Sequence, residues 1–337
     1  MSDKINIVKL TSAEISALWT TYMNDSVAKC LLTHFIETNT DPEIDSVLTS
    51  IQKIVNKHMD RIAELFQKEN IVIPEAFKVE KHVIPKAPKL FSDVFYIQSA
   101  YQMCRFGISS HSTFFASSAR EDIRFMFKDF IDDASQLYND TVDKLQQKGI
   151  FVRMPFMTYP TKIDFVKKEN FLTGWLGRKR SLLSIEVTHL ITNAYQNEIG
   201  RAITIGFSQV AQEQVLREYF SRGKQLSKHI LSSIRDVLEE CDIPFPNIWD
   251  QSVNGSTTAP FSDQLMLYII GILSNLGMMT DGAGLSATMR RDISAMYGSF
   301  ITKTGAYGED GMALMIEKGW MEQPPQFIDH EKLAKGK

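Results

Sequence analysis

The sequence predicts an all-α protein built of two tandem four-helix bundles. Three observations lead there. Apolar residues recur at helical spacing through most of the chain, one pattern is written twice about 170 residues apart, and in each copy the longest connection falls between the second and third helices.

The duplication is read directly from the residues. Positions 91–93 are Phe-Ser-Asp and so are 261–263; at that shift of 170, Arg120, Asp122, Ile123, Met126 and Phe130 meet Arg290, Asp292, Ile293, Met296 and Phe300. Residues 90–155 share 14 identities in 66 positions with 260–325, where unrelated chains of ordinary composition would share about four. The earlier halves match at a shift of 172, which sets Glu14, Leu18 and Phe35 on Glu186, Leu190 and Phe207. The change in shift places a short length difference in the Pro-containing loops 70–92 and 242–261, where folds tolerate it. The expected organisation is a first unit over 1–150, a linker over 151–181, a second unit over 182–325 and a polar tail over 326–337.

Each helix has a local reason. The first begins after Thr11 or Ser12 with Glu14 in its first turn and carries Leu18, Tyr22, Val27, Leu31 and Phe35 to about residue 38. Asp41-Pro42 supplies an N-cap and a first helical residue for the second, which carries Ile44, Val47, Leu48, Ile51, Val55, Ile62 and Phe66. Ser92, followed by Asp93, caps the third, as Ser262 and Asp263 do in the second unit. The fourth has its apolar face at Ile123, Met126, Phe127, Phe130, Ala134, Leu137 and Leu145, and ends at Gly149, where a left-handed cap belongs. Short first and third connections around a long middle one define an up-down-down-up bundle, the ferritin-like topology.

Composition excludes several classes. With 337 residues, 44% hydrophobic, 23% charged and a net charge of -3, the chain has an ordinary globular make-up. Cys30, Cys104 and Cys241 lie far apart without CxxC spacing, which points to a reducing, cytoplasmic setting rather than a disulfide framework. The N-terminus lacks an apolar core of the secretory kind, and the apolar stretch 265–279 is expected to fall short of a membrane span. Walker loops, GxGxxG, GxSxG and HExxH do not occur.

The opening Leu10-Thr-Ser-Ala-Glu-Ile-Ser-Ala-Leu-Trp19, the Leu90-Phe-Ser-Asp93 helix start, Ser118-Ala-Arg-Glu-Asp122, the linker 164–177, Gly206-Phe-Ser-Gln-Val210 and Pro260-Phe-Ser-Asp263 together resemble an uncharacterised bacterial family, domain-of-unknown-function family 3231. The resemblance covers almost the whole chain. It implies two ferritin-like bundles and a grouping with spore-coat-like proteins, and it implies no activity.

Candidate sites follow from that topology. Ferritin-like di-metal centres need a Glu on each of two helices and Glu-x-x-His on each of the others. The second unit holds one such motif, Glu186-Val-Thr-His189, and His229 is a further candidate; these three are the residues expected for an iron or manganese site in an alternative, metal-dependent oxidoreductase reading. In the first unit Glu14 remains but Ala17 replaces the histidine. The simpler expectation makes Glu186 a first-turn carboxylate, puts His58 and His229 on partly exposed faces, and treats Ser109–Ser112 around His111 as capping. Arg120 with Asp122, and Arg290 with Asp292, are expected as structural charged pairs at the bundle end. Gly271, Gly277, Gly282 and Gly284 give the second unit small side chains where the first has Tyr101, Gly107, Ser112 and Phe114, and so suggest close packing or an apolar ligand in the second bundle.

The linker 150–181 carries seven basic residues against two acidic, a balance of +5 that leaves -8 for the remainder, with Phe165, Phe171, Leu172, Trp175 and Leu176 between the charges. One reading is a contact for nucleic acid or an anionic membrane; the simpler one packs the apolar residues across both bundles. The leading functional expectation is a non-enzymatic structural or binding role, spore-associated as the resemblance implies, with protein partners or a homo-oligomer as its natural associations.

Overall fold

A computed structural model describes residues 8–174, 179–245 and 252–334, and it is all-α. The first repeat holds α1 (Ser12–Thr38), α2 (Pro42–Lys68), the short α3 (Val79–His82), α4 (Asp93–Ser117) and α5 (Glu121–Gln147). The second holds α6 (Ser184–Val210), α7 (Gln214–Glu239), α8 (Asp263–Ala287) and α9 (Arg291–Glu317), with α10 (His330–Ala334) in the tail. The helix boundaries follow local chemistry. Thr11 and Glu14 form a capping box on α1, Asp41 caps α2 ahead of Pro42, and Ser92 and Ser262 accept the N–H groups of Phe95 and Leu265, each at 3.2 Å. Gly149 and Gly319 close α5 and α9 with φ of +69° and +64°.

Contacts at the helix ends fix the topology. The α1–α2 corner meets the start of α4, where Asp93 accepts the Thr40 N–H at 3.2 Å and its hydroxyl at 2.6 Å. The end of α5 returns there through Lys148 and Asp41, 2.6 Å apart. At the opposite end, Glu14 of α1 meets the start of α5. Helices α1 and α5 therefore run one way and α2 and α4 the other, with residues 69–92 crossing the length of the bundle: up, down, down, up. Asp263 repeats the first contact on the N–H groups of Gln212 and Glu213, at 3.1 and 3.0 Å, and Lys318 reaches Glu213 as Lys148 reaches Asp41.

The two crossing segments bind each other. Val83 bridges to Phe261 and Phe91 to Val253, both antiparallel. Each bridge is the other displaced by 170 residues, so the repeats relate as the halves of a twofold dimer. The surrounding bonds obey the same rule: Ser262 N–H to His82 O and Ser92 N–H to Ser252 O are both 2.9 Å. Beneath them one apolar core runs through both repeats, joining Phe35, Leu48, Phe91 and Phe95 to Ile203, Phe207, Phe220, Phe261 and Leu265, while a smaller cluster closes each outer end. Gly206 makes room for the Phe91 ring of the other repeat; a Cβ there would lie 2.7 Å from it.

One expectation changes here. The linker is not a strap across the bundles: Phe156, Tyr159, Ile163 and Phe165 are 92, 85, 88 and 77% exposed, because the crossing segments already join the repeats. Its two ends dock: Phe151 and Val152 pack on the core, and at the C-terminal end Arg180 lies over the Phe171 ring and Lys179 meets Glu240 at 2.8 Å; Trp175 and Leu176 lie outside the described residues. The stretch 265–279 extends into α8, which among the described residues is the one helix long and apolar enough to cross a membrane. Its Leu265, Met266, Leu267, Ile269 and Ile270 are buried in the shared core, and it packs on α6 and α9.

Candidate functional site

The outer end of each bundle is closed by a carboxylate. Glu14 accepts the Thr11 N–H at 2.7 Å and, from the turn that leads into α5, the N–H groups of Ala119 and Arg120 at 2.9 and 2.6 Å. Glu186 accepts the N–H groups of Leu183 and Met289 at 2.9 and 3.1 Å and two nitrogens of Arg180, each at 2.8 Å. Burial alone would raise the Glu186 pKa; the Arg180 guanidinium and the backbone N–H groups outweigh it and hold it down at about 2. Beside each glutamate, Arg120 binds Asp122 through two bonds of 3.1 and 2.7 Å, and Arg290 binds Asp292 at 3.1 and 2.6 Å. Arg120 adds Glu69 at 2.8 Å.

Glu186, His189 and His229 are not brought together. Glu186 has its oxygens occupied at the bundle end, His189 is half-buried one turn on, and His229 is exposed at mid-bundle, accepting from Lys303 Nζ at 2.8 Å. Among the described residues no group of three or more His, Cys, Asp or Glu is placed to hold a metal. The residues do not fit the di-metal centre the topology suggested, which needs four carboxylates and two imidazoles.

The structure instead collects a polar layer that helical spacing did not single out. Counted from the Thr40–Asp93 end at 1.5 Å per residue, Asp25 on α1, His58 on α2, His111 on α4 and Asp133 on α5 lie about 21–27 Å down the bundle, one from each helix. His58 is buried, not on a partly exposed face; it stacks on Phe130 with ring centroids 3.7 Å apart and bonds Asp133 through Nε2 at 3.1 Å. Its Nδ1 lies 3.7 Å from Asp25 Oδ2, beyond hydrogen-bond range. His111 is no capping residue, since α4 runs on to Ser117; its ring meets that of His58 edge-on at 5.7 Å. Burial pushes the Asp25 carboxyl above its usual range and, with His58 nearby, pushes His111 down to about 3, so its imidazole is neutral. At the repeat shifts the same four positions in the second repeat are Asn197, Ile230, Asp281 and Lys303, with His229 one residue before the His58 position. There Asn193 bonds Asp281, and burial raises the Asp281 pKa to about 6. The duplicated layers have diverged in chemistry.

Above the first layer is a cavity of about 190 Å³ between α1, α2, α4 and α5 of the first repeat and α6 and α8 of the second. Its walls include Ala28, Phe35, Phe95, Ile203, Phe207 and Leu276; Asp25, His58 and His111 form its floor. The second repeat's glycines, expected to serve close packing or an apolar ligand, lie apart from this chamber. The cavity beside Gly277 is smaller, about 60 Å³, and its lining includes the polar groups of Gln196, Asn197, Ser274 and Asp281. The reason lies in where the rings go. A Cβ at Gly284 would be 2.4 Å from the Tyr297 ring, so the glycine seats the tyrosine instead of leaving space. Gly277 borders the small polar cavity, while Gly271 and Gly282 face no atom within 4 Å.

Fold and site thus define a tandem helical-bundle protein with a chamber at the junction of its repeats. The family model described as "Protein of unknown function (DUF3231)" matches residues 5–163 and 170–333, and the chain belongs to that family. Among curated proteins none matches the chain. Among solved structures, a protein of Bacillus halodurans C-125 provisionally assigned as a spore coat protein is similar at 17% identity and a TM-score of 0.41, over 46% of this chain and 99% of the other.

Proposed function

We propose that this protein is a non-enzymatic binding protein that holds a small, largely apolar molecule in the chamber between its repeats. One observation carries the reading: well-packed interiors have few voids larger than a water molecule, and here about 190 Å³ is walled mainly by aromatic and aliphatic side chains from six helices of both repeats. Apolar cavities of about 150 Å³ stay dry and take up benzene, so this one suits a molecule of roughly nine non-hydrogen atoms. The spore association belongs to the same proposal and rests on the family resemblance; localisation of a fluorescent fusion during sporulation tests it separately.

Titration calorimetry of the full chain with ethylbenzene tests the binding role. The expected result is one site per chain with a negative heat-capacity change, abolished by Ala28→Phe and by Ile203→Trp, which fill the chamber from α1 and α6. Absence of a binding heat, or binding that both variants leave intact, would overturn the proposal.

A further inference from the structure

The chamber has largely apolar walls and a polar floor, and four of its lining residues carry unpaired polar atoms: Ser99 Oγ and Gln102 Nε2 on α4 and, at the floor, Asp25 Oδ2 and His111 Nδ1. His111 Nδ1, on a side chain only 6% exposed, and Asp25 Oδ2 both belong to residues lining the chamber, and neither has a hydrogen-bond partner. Buried polar atoms are satisfied in the great majority of folded proteins, so two such atoms from different helices at one end of an apolar chamber indicate what the occupant supplies.

Resting on the reading that the chamber binds an apolar molecule, the geometry points to a ligand with a hydroxyl group at one end, seated on Asp25 and His111, and a hydrocarbon body of about eight carbons in the aromatic chamber above. A hydroxyl has one donor and two acceptor lone pairs. It donates to Asp25 Oδ2 and accepts from the neutral imidazole of His111, which has one N–H to place. An anionic head is disfavoured by the charges facing the floor. Asp25 and Asp133 are both carboxylates, and the lysine nearby, Lys57, is committed to Asp133 at 2.7 Å. A plain hydrocarbon fills the chamber but leaves both floor atoms unpaired.

Three probes with one carbon skeleton separate these possibilities: ethylbenzene, 2-phenylethanol and phenylacetate, titrated calorimetrically into the full wild-type chain. Burying a hydroxyl without a partner weakens binding by roughly tenfold or more. The inference predicts that 2-phenylethanol binds at least as tightly as ethylbenzene, and that phenylacetate binds at least tenfold more weakly than the alcohol. In Asp25→Leu the order of the first two reverses, with the alcohol at least tenfold weaker than the hydrocarbon. Ethylbenzene binding tenfold more tightly than the alcohol in the wild type, or phenylacetate equalling the alcohol, would overturn the hydroxyl assignment and leave the chamber's binding role standing. Binding of none of the three would overturn both. The wild-type comparison decides the matter even if Asp25→Leu fails to fold.

Discussion

Ile84 donates its backbone N–H to the carbonyl of Pro260 at 2.9 Å, and Asn254 donates to Leu90 at 2.8 Å, the same bond displaced by one repeat. The repeats are therefore joined by a symmetric interface internal to one chain, with Phe91 and Phe261 buried at its centre. A core continuous through both repeats makes unfolding a shared event. Denaturant unfolding monitored by fluorescence and by far-ultraviolet dichroism is expected to give one coincident transition. Phe91→Ala should lower stability by about 3–5 kcal/mol and shift both probes together; two separated transitions would contradict the shared core.

The glycines of α8 separate into two kinds. Gly284→Ala forces a Cβ to 2.4 Å from the buried Tyr297 ring and is expected to cost about 1–3 kcal/mol. Gly271→Ala and Gly282→Ala meet no atom within 4 Å and are expected to stabilise the helix by up to about 1 kcal/mol each. Thermal unfolding of the three variants checks the opposite signs.

Arg290 is fully buried and bonded to Asp292 through two nitrogens. Removing one partner of such a pair leaves the other charge uncompensated. Arg290→Met is accordingly expected to cost about 3–5 kcal/mol, and the double variant with Asp292→Leu to recover part of it, as a double-mutant cycle would show.

Acid sensitivity should come from buried histidines. His34 is fully buried without a hydrogen-bond partner at either ring nitrogen, and burial lowers its pKa to about 4; His111 lies at about 3. Both are depressed below the ordinary value of 6.5, so the stability they contribute is present above pH 6.5 and is lost as pH falls toward 4. At pH 5 each accounts for about 2 kcal/mol, from 1.36 kcal/mol per pH unit. Asp281, raised to about 6, acts in the opposite sense, losing stability as pH rises from 4 through 6. His34→Leu should flatten the acid limb of a stability-against-pH curve, and Asp281→Asn should raise the neutral plateau; an unchanged acid limb in His34→Leu would contradict the assignment.

What was legible in the sequence was what local chemistry decides. Thr11 with Glu14, Asp41 with Pro42, Ser92 and Gly149 mark helix ends because each acts within one turn, and the shift of 170 aligned the repeats without a structure. The exposure of Phe156 and Phe165 was not legible, since it depends on the crossing segments having already satisfied the interface between repeats. The polar layer was half visible. His229 fell within one position of His58, and His111 faced Asp281 across the alignment, but Asp25, His58, His111 and Asp133 come one from each helix, and no spacing within a helix connects them. Glu186-x-x-His189 drew attention instead, because two residues on one helix face are the pattern a single segment can show. His111 was masked further by its serine neighbours, whose hydroxyls bond back within α4, Ser110 to Phe106 O at 2.9 Å and Ser112 to Ile108 O at 2.7 Å.

The chamber between the repeats is the central claim, and a crystal of the full chain held under xenon pressure tests it most directly, since xenon enters dry apolar cavities of this size. The account predicts xenon density between α1, α4, α6 and α8, bordered by Ala28, Phe95 and Ile203, and its absence from the smaller polar cavity beside Asp281. Side chains filling the chamber, with no xenon there, would contradict it.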